Sequence, residues 1–462
     1  MKRIFQLIIK AIKGTEKDFT TGSINRAIVL LAIPMILEMV MESLFAVVDA
    51  FFVARVGVNA IATVGMTESV ITLIYATAIG LSMAATAMVA RRVGEQKTDE
   101  AAVVAVQVLI IALVASAILG VLGFIFAKDV LRLMGGSPEL IEEGFNYTRI
   151  LFAGNISIML LFLLNGIFRG AGDASVAMRS LWIANICNII LDPCLIFGWG
   201  PFPEMGLTGA AIATTTGRGI GVLYQLYVLF NGRNIVRVMG RHLRIKFDII
   251  LRLLNVSVGG ISQYIIASAS WIFMMRIVSN FGSEAVAGYT IAIRIIIFTI
   301  LPSWGMANAA ATLVGQNLGA NQPDRAEKSV WRTANLNMTF LVSVALIFFF
   351  FAPQLVAIFE PSNQSVIAEG TLSLRIISFG YLFFAHGMVI GQAFNGAGDT
   401  RTPTWINFIC FWLIQIPLAY GLAFNFEWGS EGVYWAVAIS ESMLALLCIV
   451  IFRKGKWKLT EV

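Results

Sequence analysis

Residues 27–54 read AIVLLAIPMILEMVMESLFAVVDAFFVA, an apolar run broken only by Glu38, Glu42 and Asp49, and LNMTFLVSVALIFFFFAPQLVAIF at 336–359 is another of the kind. About 20 such residues cross the ~30 Å hydrocarbon core of a bilayer as a helix. Lipid leaves no partner for a free strand edge, so repeated runs of this length demand a bundle of helices. Composition agrees: 58% of residues are apolar and only 13% charged, about half the charge of an ordinary soluble domain. A polytopic all-α membrane protein, multi-pass in the cell (inner) membrane, is the expected class.

Twelve spans are expected, near 27–54, 61–88, 101–127, 146–168, 176–198, 206–230, 249–279, 285–312, 327–352, 371–393, 402–424 and 432–452. With this alternation, the segments on one side carry 24 Lys and Arg residues, and the other side only Arg55, Lys128 and Arg132. Basic loops stay cytoplasmic, so both termini are expected there. The net charge of +6 then follows from topology and calls for no nucleic acid. The opening MKRIFQLIIKAIKG has a basic start and an apolar run, but Lys10 and Lys13 interrupt it and no cleavage site follows. Residues 1–26 therefore read as a cytoplasmic amphipathic segment lying on the membrane surface. Cys187, Cys194, Cys410 and Cys448 fall inside spans and read as small core residues.

The sequence repeats itself. FRGAGDA at 168–174 returns as FNGAGDT at 394–400, and VARRVGEQKTDEA at 89–101 aligns with VGQNLGANQPDRA at 314–326. GVNAIA (57–62) aligns with GSEAVA (282–287), and MGLTGAA (205–211) with EGVYWAV (431–437), always 225 or 226 positions on. One six-helix unit is thus written twice, at 27–230 and 249–452, related by an axis along the membrane normal. Between them, 231–248 carries arginines at 233, 237, 241 and 244, a helical spacing that predicts a basic linker helix on the cytoplasmic surface; 453–462 is a cytoplasmic tail. In the repeated turn, Gly170, Gly172, Gly396 and Gly398 permit backbone conformations other residues resist, and Asp173 can cap the next helix. The turn is either a structural corner or a hinge or gate element.

Intramembrane ionisable residues are functional candidates. Glu38, Glu42 and Asp49 share one face of the first span, within about 40° at 100° per residue. Asn185, Asn188 and Asp192 form a stripe on the fifth. At ~1.5 Å per residue, Asp49 and Asp192 lie about 9 Å inside the outer boundary and Thr214 about 12 Å. Asp49, Asn188, Asp192 and Thr214 can therefore converge. They would offer hard oxygen ligands to Na+, or a pair of mutually repelling carboxylates that retains a proton. The competing reading is that these groups merely join helices by hydrogen bonds. Glu38, Glu42 and Glu68 are expected to face a substrate cavity, with Arg218 as an alternative structural partner. Pro34 leaves one helix bond unmade and could let the first span bend.

IPMIL (33–37), VVDAFFVARVGVNAIATVG (47–65), GIFRGAGD (166–173) and NIILDPCLIFGWG (188–200), within two copies of six helices, resemble the MATE (multidrug and toxic compound extrusion) transporters along essentially the whole chain. The resemblance implies two lobes around a central cavity, alternating access, and export of small organic, cationic or amphipathic compounds against inward H+ or Na+, with no cofactor. It also implies that Asp49, Asn188 and Asp192 form the coupling-cation site. The second half departs from this pattern: Asp49 maps to Met274 and Asp192 to Leu418, while Gln263 stands where some members place an acid and His386 is the one histidine in a span. A coupling site confined to the first lobe is expected, with Gln263 and His386 as further cavity candidates. Arg276 and Arg294 would suit a rival function, a lipid-linked oligosaccharide flippase, if they lined the cavity. H-E-x-x-H and G-x-S-x-G motifs are missing, which argues against an intramembrane enzyme. A monomer is expected.

Overall fold

The computed structural model describes residues 2–14, 19–232 and 234–461. Helix α1 (Lys2–Lys13) precedes the first lobe, which comprises α2 (Ile24–Val53), α3 (Val58–Gly94), α4 (Thr98–Ile125), α5 (Pro138–Gly170), α6 (Ala174–Phe197) and α7 (Gly206–Asn231). The second comprises α8 (Phe247–Phe281), α9 (Ser283–Gly319), α10 (Pro323–Ala357), α11 (Gln364–Phe379), α12 (Tyr381–Ala397), α13 (Arg401–Asn425) and α14 (Gly429–Arg453). The first lobe's apolar core runs from Met41 to Val238 and takes in Leu253 and Val256 at the start of α8, while the second lobe holds two clusters, Met274 to Val437 and Ala307 to Trp457.

Ten of these helices are single, apolar and long enough to cross a bilayer, and α11 with α12, bent by 58° at Gly380, makes an eleventh span. The remaining expected span, α7, is a 26-residue helix made less apolar by its GLTGAAIATTTGRGIG run. Those small residues let it lie tight against α6: a Cβ on Gly217 would sit 2.7 Å from the Ala184 carbonyl oxygen.

Two expectations need correction. The linker is not a helix: Asn234–Lys246 is irregular apart from the single 3-10 turn Gly240–His242. Gly240 interrupts the arginine spacing, and the chain is held by tertiary bonds instead, such as Arg241 to Asp99 at 2.9 Å. Arg233 and Lys17 lie outside the described residues. In addition, α3 and α9 run past residues 88 and 312 to Gly94 and Gly319.

Those extra turns press the lobes together. A Cβ on Gly94 would collide with the Gln316 carbonyl, and one on Gly319 with the Arg91 carbonyl. The two contacts are the same contact read through the 225-residue repeat. Deeper in, Gly80 packs on Ile261 and Gly305 on Ile36 by the same rule. Helix α2 thus belongs to the first lobe yet shares with α9 an apolar seam of Leu31, Met35, Ala309 and Leu313, while α3 lies against α8.

Candidate functional site

The stripe Glu42, Phe45 and Asp49 on α2 faces Thr214 and Arg218 on α7, which runs antiparallel to it. Asp49 lies within reach of the Thr214 hydroxyl. Asn188 Nδ2 donates to Asp192 Oδ1 at 3.1 Å and to Thr214 Oγ1 at 3.4 Å. The four expected cation-site residues therefore meet, with the Asp49 charge repelling that of Asp192. Asn188 and Asp192 are fully buried, and Asn188 Oδ1 and Asp192 Oδ2 find no donor. Two buried acceptors without donors are what a site for a hard cation or a proton requires; left empty, each costs about 1–3 kcal/mol. Pro193, next to Asp192, sits inside α6 and removes one more donor there. Asn185, by contrast, donates to the Met41 carbonyl at 2.8 Å and ties α6 to α2. Among the described residues no group of three or more His, Cys, Asp or Glu side chains could hold a metal ion.

Between the lobes lies a cavity of about 280 Å³, with Glu38, Glu42, Tyr75 and Arg169 on one side and Tyr264, Trp304, Asn308, Gln392 and Asn395 on the other. Glu38 and Glu42 do line it. Glu38 is paired with Arg169 Nη1 at 3.6 Å and accepts from Asn165 at 2.9 Å, while Glu42 lies 3.8 Å from Arg218. Arg169, placed by sequence in a cytoplasmic turn, is buried and also donates to Ser82 Oγ at 3.1 Å. Glu68 is exposed on α3, close enough to Asp49 for their charges to interact.

The second lobe behaves differently. Gln263 does not line the cavity; it exchanges amide hydrogen bonds with Asn395, which does, at 3.0 and 3.2 Å. His386 bonds Asn335 Oδ1 on α10 at 3.2 Å and lies outside the cavity lining. Arg276 and Arg294 are exposed and are likewise not lining residues, so these two do not meet the condition that would favour a flippase.

The repeated turn lies at the lobe junction. Gly172 and Gly398 have φ of +82° and +90°, and a Cβ on Gly170 would sit 2.7 Å from the Thr86 carbonyl oxygen. Gly396 stands against Ala311, the equivalent position. The Asp173 carboxylate accepts from Ser175 Oγ and makes no cap to a backbone N–H, whereas Asp399 accepts from the Thr402 N–H at 3.1 Å. From the other lobe, Thr312 Oγ1 donates to the Arg169 carbonyl (3.2 Å) and Gln316 Nε2 to that of Gly170 (3.0 Å). Pro34 is buried within α2, two residues before the Ile36–Gly305 contact.

Comparison with known proteins agrees with this architecture. The chain is 27% identical to the probable multidrug resistance protein NorM of Thermotoga maritima, over 94% of this chain and 93% of that protein. It is 26% identical to the probable multidrug resistance protein YoeA of Bacillus subtilis, over 95% and 96%. Crystal structures of a MATE protein in a straight and in a bent conformation superpose with TM-scores of 0.89 and 0.88 at 26% identity, each covering 98% of this chain and 99% of that one. The family model MatE matches residues 34–194 and 260–421, once in each lobe, and the chain belongs to the MATE family of transporters.

Proposed function

We propose that this transporter is a secondary active exporter that moves small amphipathic, preferentially cationic, organic molecules outward in exchange for inward H+ or Na+. The observation that carries this reading is the convergence of Asp49, Thr214, Asn188 and Asp192, with two buried acceptors left without donors, beside an interlobe cavity edged by Glu38 and Glu42. With Arg169 taken out of the count because it is buried against Glu38, 23 basic residues against 3 still support cytoplasmic termini. The junction at Gly94 and Gly319 is then the inner gate, closed here, and the cavity belongs to an outward-facing state. Transport needs no covalent step, and nothing in the site asks for a second copy of the chain.

Coupling requires the ion and the substrate to favour different states, because a ligand bound equally by both shifts nothing. One charge entering down about 100 mV supplies about 2.3 kcal/mol, enough for roughly a 50-fold gradient of an uncharged substrate. A monovalent cationic substrate exchanged for one ion moves no net charge, so the concentration gradient of the ion must drive it. The test is dye export from proteoliposomes by the wild type and by Asp192→Asn, under a pH gradient and then a Na+ gradient. One gradient should drive wild-type export and fail to drive the variant. Export by Asp192→Asn at the wild-type rate would make this cluster structural.

A further inference from the structure

Arg218 is buried in α7, one helical turn beyond Thr214. Its Nη1 donates to the Tyr75 hydroxyl at 2.7 Å, its Nη2 lies 3.8 Å from Glu42 Oε1, and the guanidinium stacks over Phe45, 4.9 Å from the ring centroid. Tyr75 and Glu42 line the cavity. The same charge acts on Asp49 and Glu68. The titratable groups around it are therefore Glu42 and Asp49 from α2, Glu68 and Tyr75 from α3, and Tyr147 from α5. One arginine, which stays charged under all relevant conditions, serves a carboxylate of each site, Asp49 in the cation cluster and Glu42 in the cavity, with Glu68 nearby.

We infer that Arg218 is the positioning residue that couples the two sites, by sharing one positive charge between Asp49 in the cation cluster and Glu42 in the substrate cavity. This rests on the antiport reading above. While Asp49 is unoccupied, its charge holds part of the attention of Arg218, and Glu42 can accept a cationic group from a bound substrate. When a cation neutralises Asp49, the guanidinium is left to Glu42, which closes on it as a full ion pair and expels the substrate cation. The guanidinium lies over Phe45 and is bonded to the Tyr75 hydroxyl, and Phe45 stands on α2 between Glu42 and Asp49, so the exchange is a change in how one held charge is shared. Ion and substrate then compete without sharing a ligand, through a charge that neither of them touches in common.

The experiment measures ethidium affinity of the purified full-length protein, with Na+ against choline and in acid against alkaline buffer, for wild type, Arg218→Gln, Arg218→Lys and Glu42→Gln. In the wild type the coupling cation should weaken ethidium binding about tenfold, within the usual range of allosteric coupling. Arg218→Lys keeps the charge and should retain most of this effect. Arg218→Gln and Glu42→Gln should each reduce it below about twofold, whatever their affinity without the cation. A merely structural arginine would alter affinity or stability but leave the ratio standing, so a tenfold effect persisting in Arg218→Gln overturns the inference while the antiport reading survives. If Arg218→Gln does not fold, Glu42→Gln decides by the same criterion. No effect of either cation on the wild type would sink the antiport reading, and this inference with it.

Discussion

Glu38 and Arg169 form an ion pair at 3.6 Å between α2 and α5, and their repeat equivalents in the second lobe, Gln263 and Asn395, form a reciprocal amide pair. The same interhelical position is filled by opposite charges in one lobe and by neutral amides in the other. Both are ways of satisfying buried polar groups, but only the charged one makes its lobe electrostatically responsive. All the carboxylates around the candidate cation site are in that lobe as well.

The amide pair provides a direct test of what the charges do. Removing one partner of a buried pair costs about 3–5 kcal/mol, since the other charge is left uncompensated. Arg169→Asn alone should therefore melt well below the wild type in detergent. The double variant Glu38→Gln, Arg169→Asn copies the second lobe and should recover most of the loss. Thermal unfolding followed by size-exclusion chromatography would check it; a double variant no more stable than Arg169→Asn would mean that Asn165 and Ser82, not the pairing, hold these side chains.

The pair also marks where the sequence was legible and where it was not. Span positions, the duplication and the convergence of Asp49, Asn188 and Asp192 follow from apolar runs, a constant offset and helical periodicity, all of which are local or repeated properties. The pairing of Glu38 with a residue 131 positions away is neither, and counting Arg169 among the loop cations concealed it. The offset was the usable signal, because it maps Glu38 onto Gln263 and Arg169 onto Asn395. The linker failed for the opposite reason: its spacing imitated a helix, but the chain buries Val236 and Val238, two residues apart, against the first lobe, an alternation that belongs to extended backbone and not to a helix. The 58° bend between α11 and α12 falls at Gly380, which lies close to the Ala438 backbone; the glycine in FGYLFF marks a place where the chain can break, but not that it does.

Thr214 and Asn188 orient the cation cluster without supplying its charge. Groups of this kind change ion affinity about 10- to 100-fold when removed. Thr214→Ala should raise the cation concentration that half-activates export by about tenfold, while dye affinity measured without the ion stays unchanged. Titrating the activating ion in proteoliposomes gives the first quantity and equilibrium dye binding the second. A parallel loss of both would show that Thr214 supports the cavity and not the ion.

At the closed end, the tail after α14 crosses between the lobes. Trp457 is buried and stacked on Phe452 at 4.6 Å, Lys458 Nζ lies 2.6 Å from Glu327, and the Thr460 carbonyl accepts from Arg91 Nη2 at 3.3 Å. Trp457→Ala should cost about 3–5 kcal/mol, but Lys458→Ala only about 1 kcal/mol, because its pair with Glu327 is half-buried at the surface and still screened by solvent. The Glu327 hydrogen bond raises the Lys458 amine above its ordinary value of 10.5. Its contribution is fully present below that value and fades only as pH rises through the raised one. The stability of the tail, measured by protease sensitivity, should therefore be flat with pH across the neutral range, and any pH dependence of transport there has another origin.

The glycine contacts at the same end make the sharpest prediction about the transport cycle. Gly94 and Gly319 touch the opposite lobe backbone to backbone, so a side chain at either position collides only when this end is closed. Overpacking of this kind costs about 1–3 kcal/mol, a shift of roughly fivefold to 150-fold in the balance between the two ends of the cycle. Gly94→Val should lose export while remaining folded, because the fold of each lobe is untouched. Gly319→Val should do the same by the repeat relationship, and the double variant should be no worse than either, since one collision already holds the gate apart. A cysteine placed at Asn308, which lines the cavity, reports the state in a background lacking the four native cysteines. In Gly94→Val it should react with a bulky maleimide applied from the side of the termini, from which the gate shields it in the parent protein. Unaltered labelling together with lost export would put the defect in the ion or substrate site and not in closure.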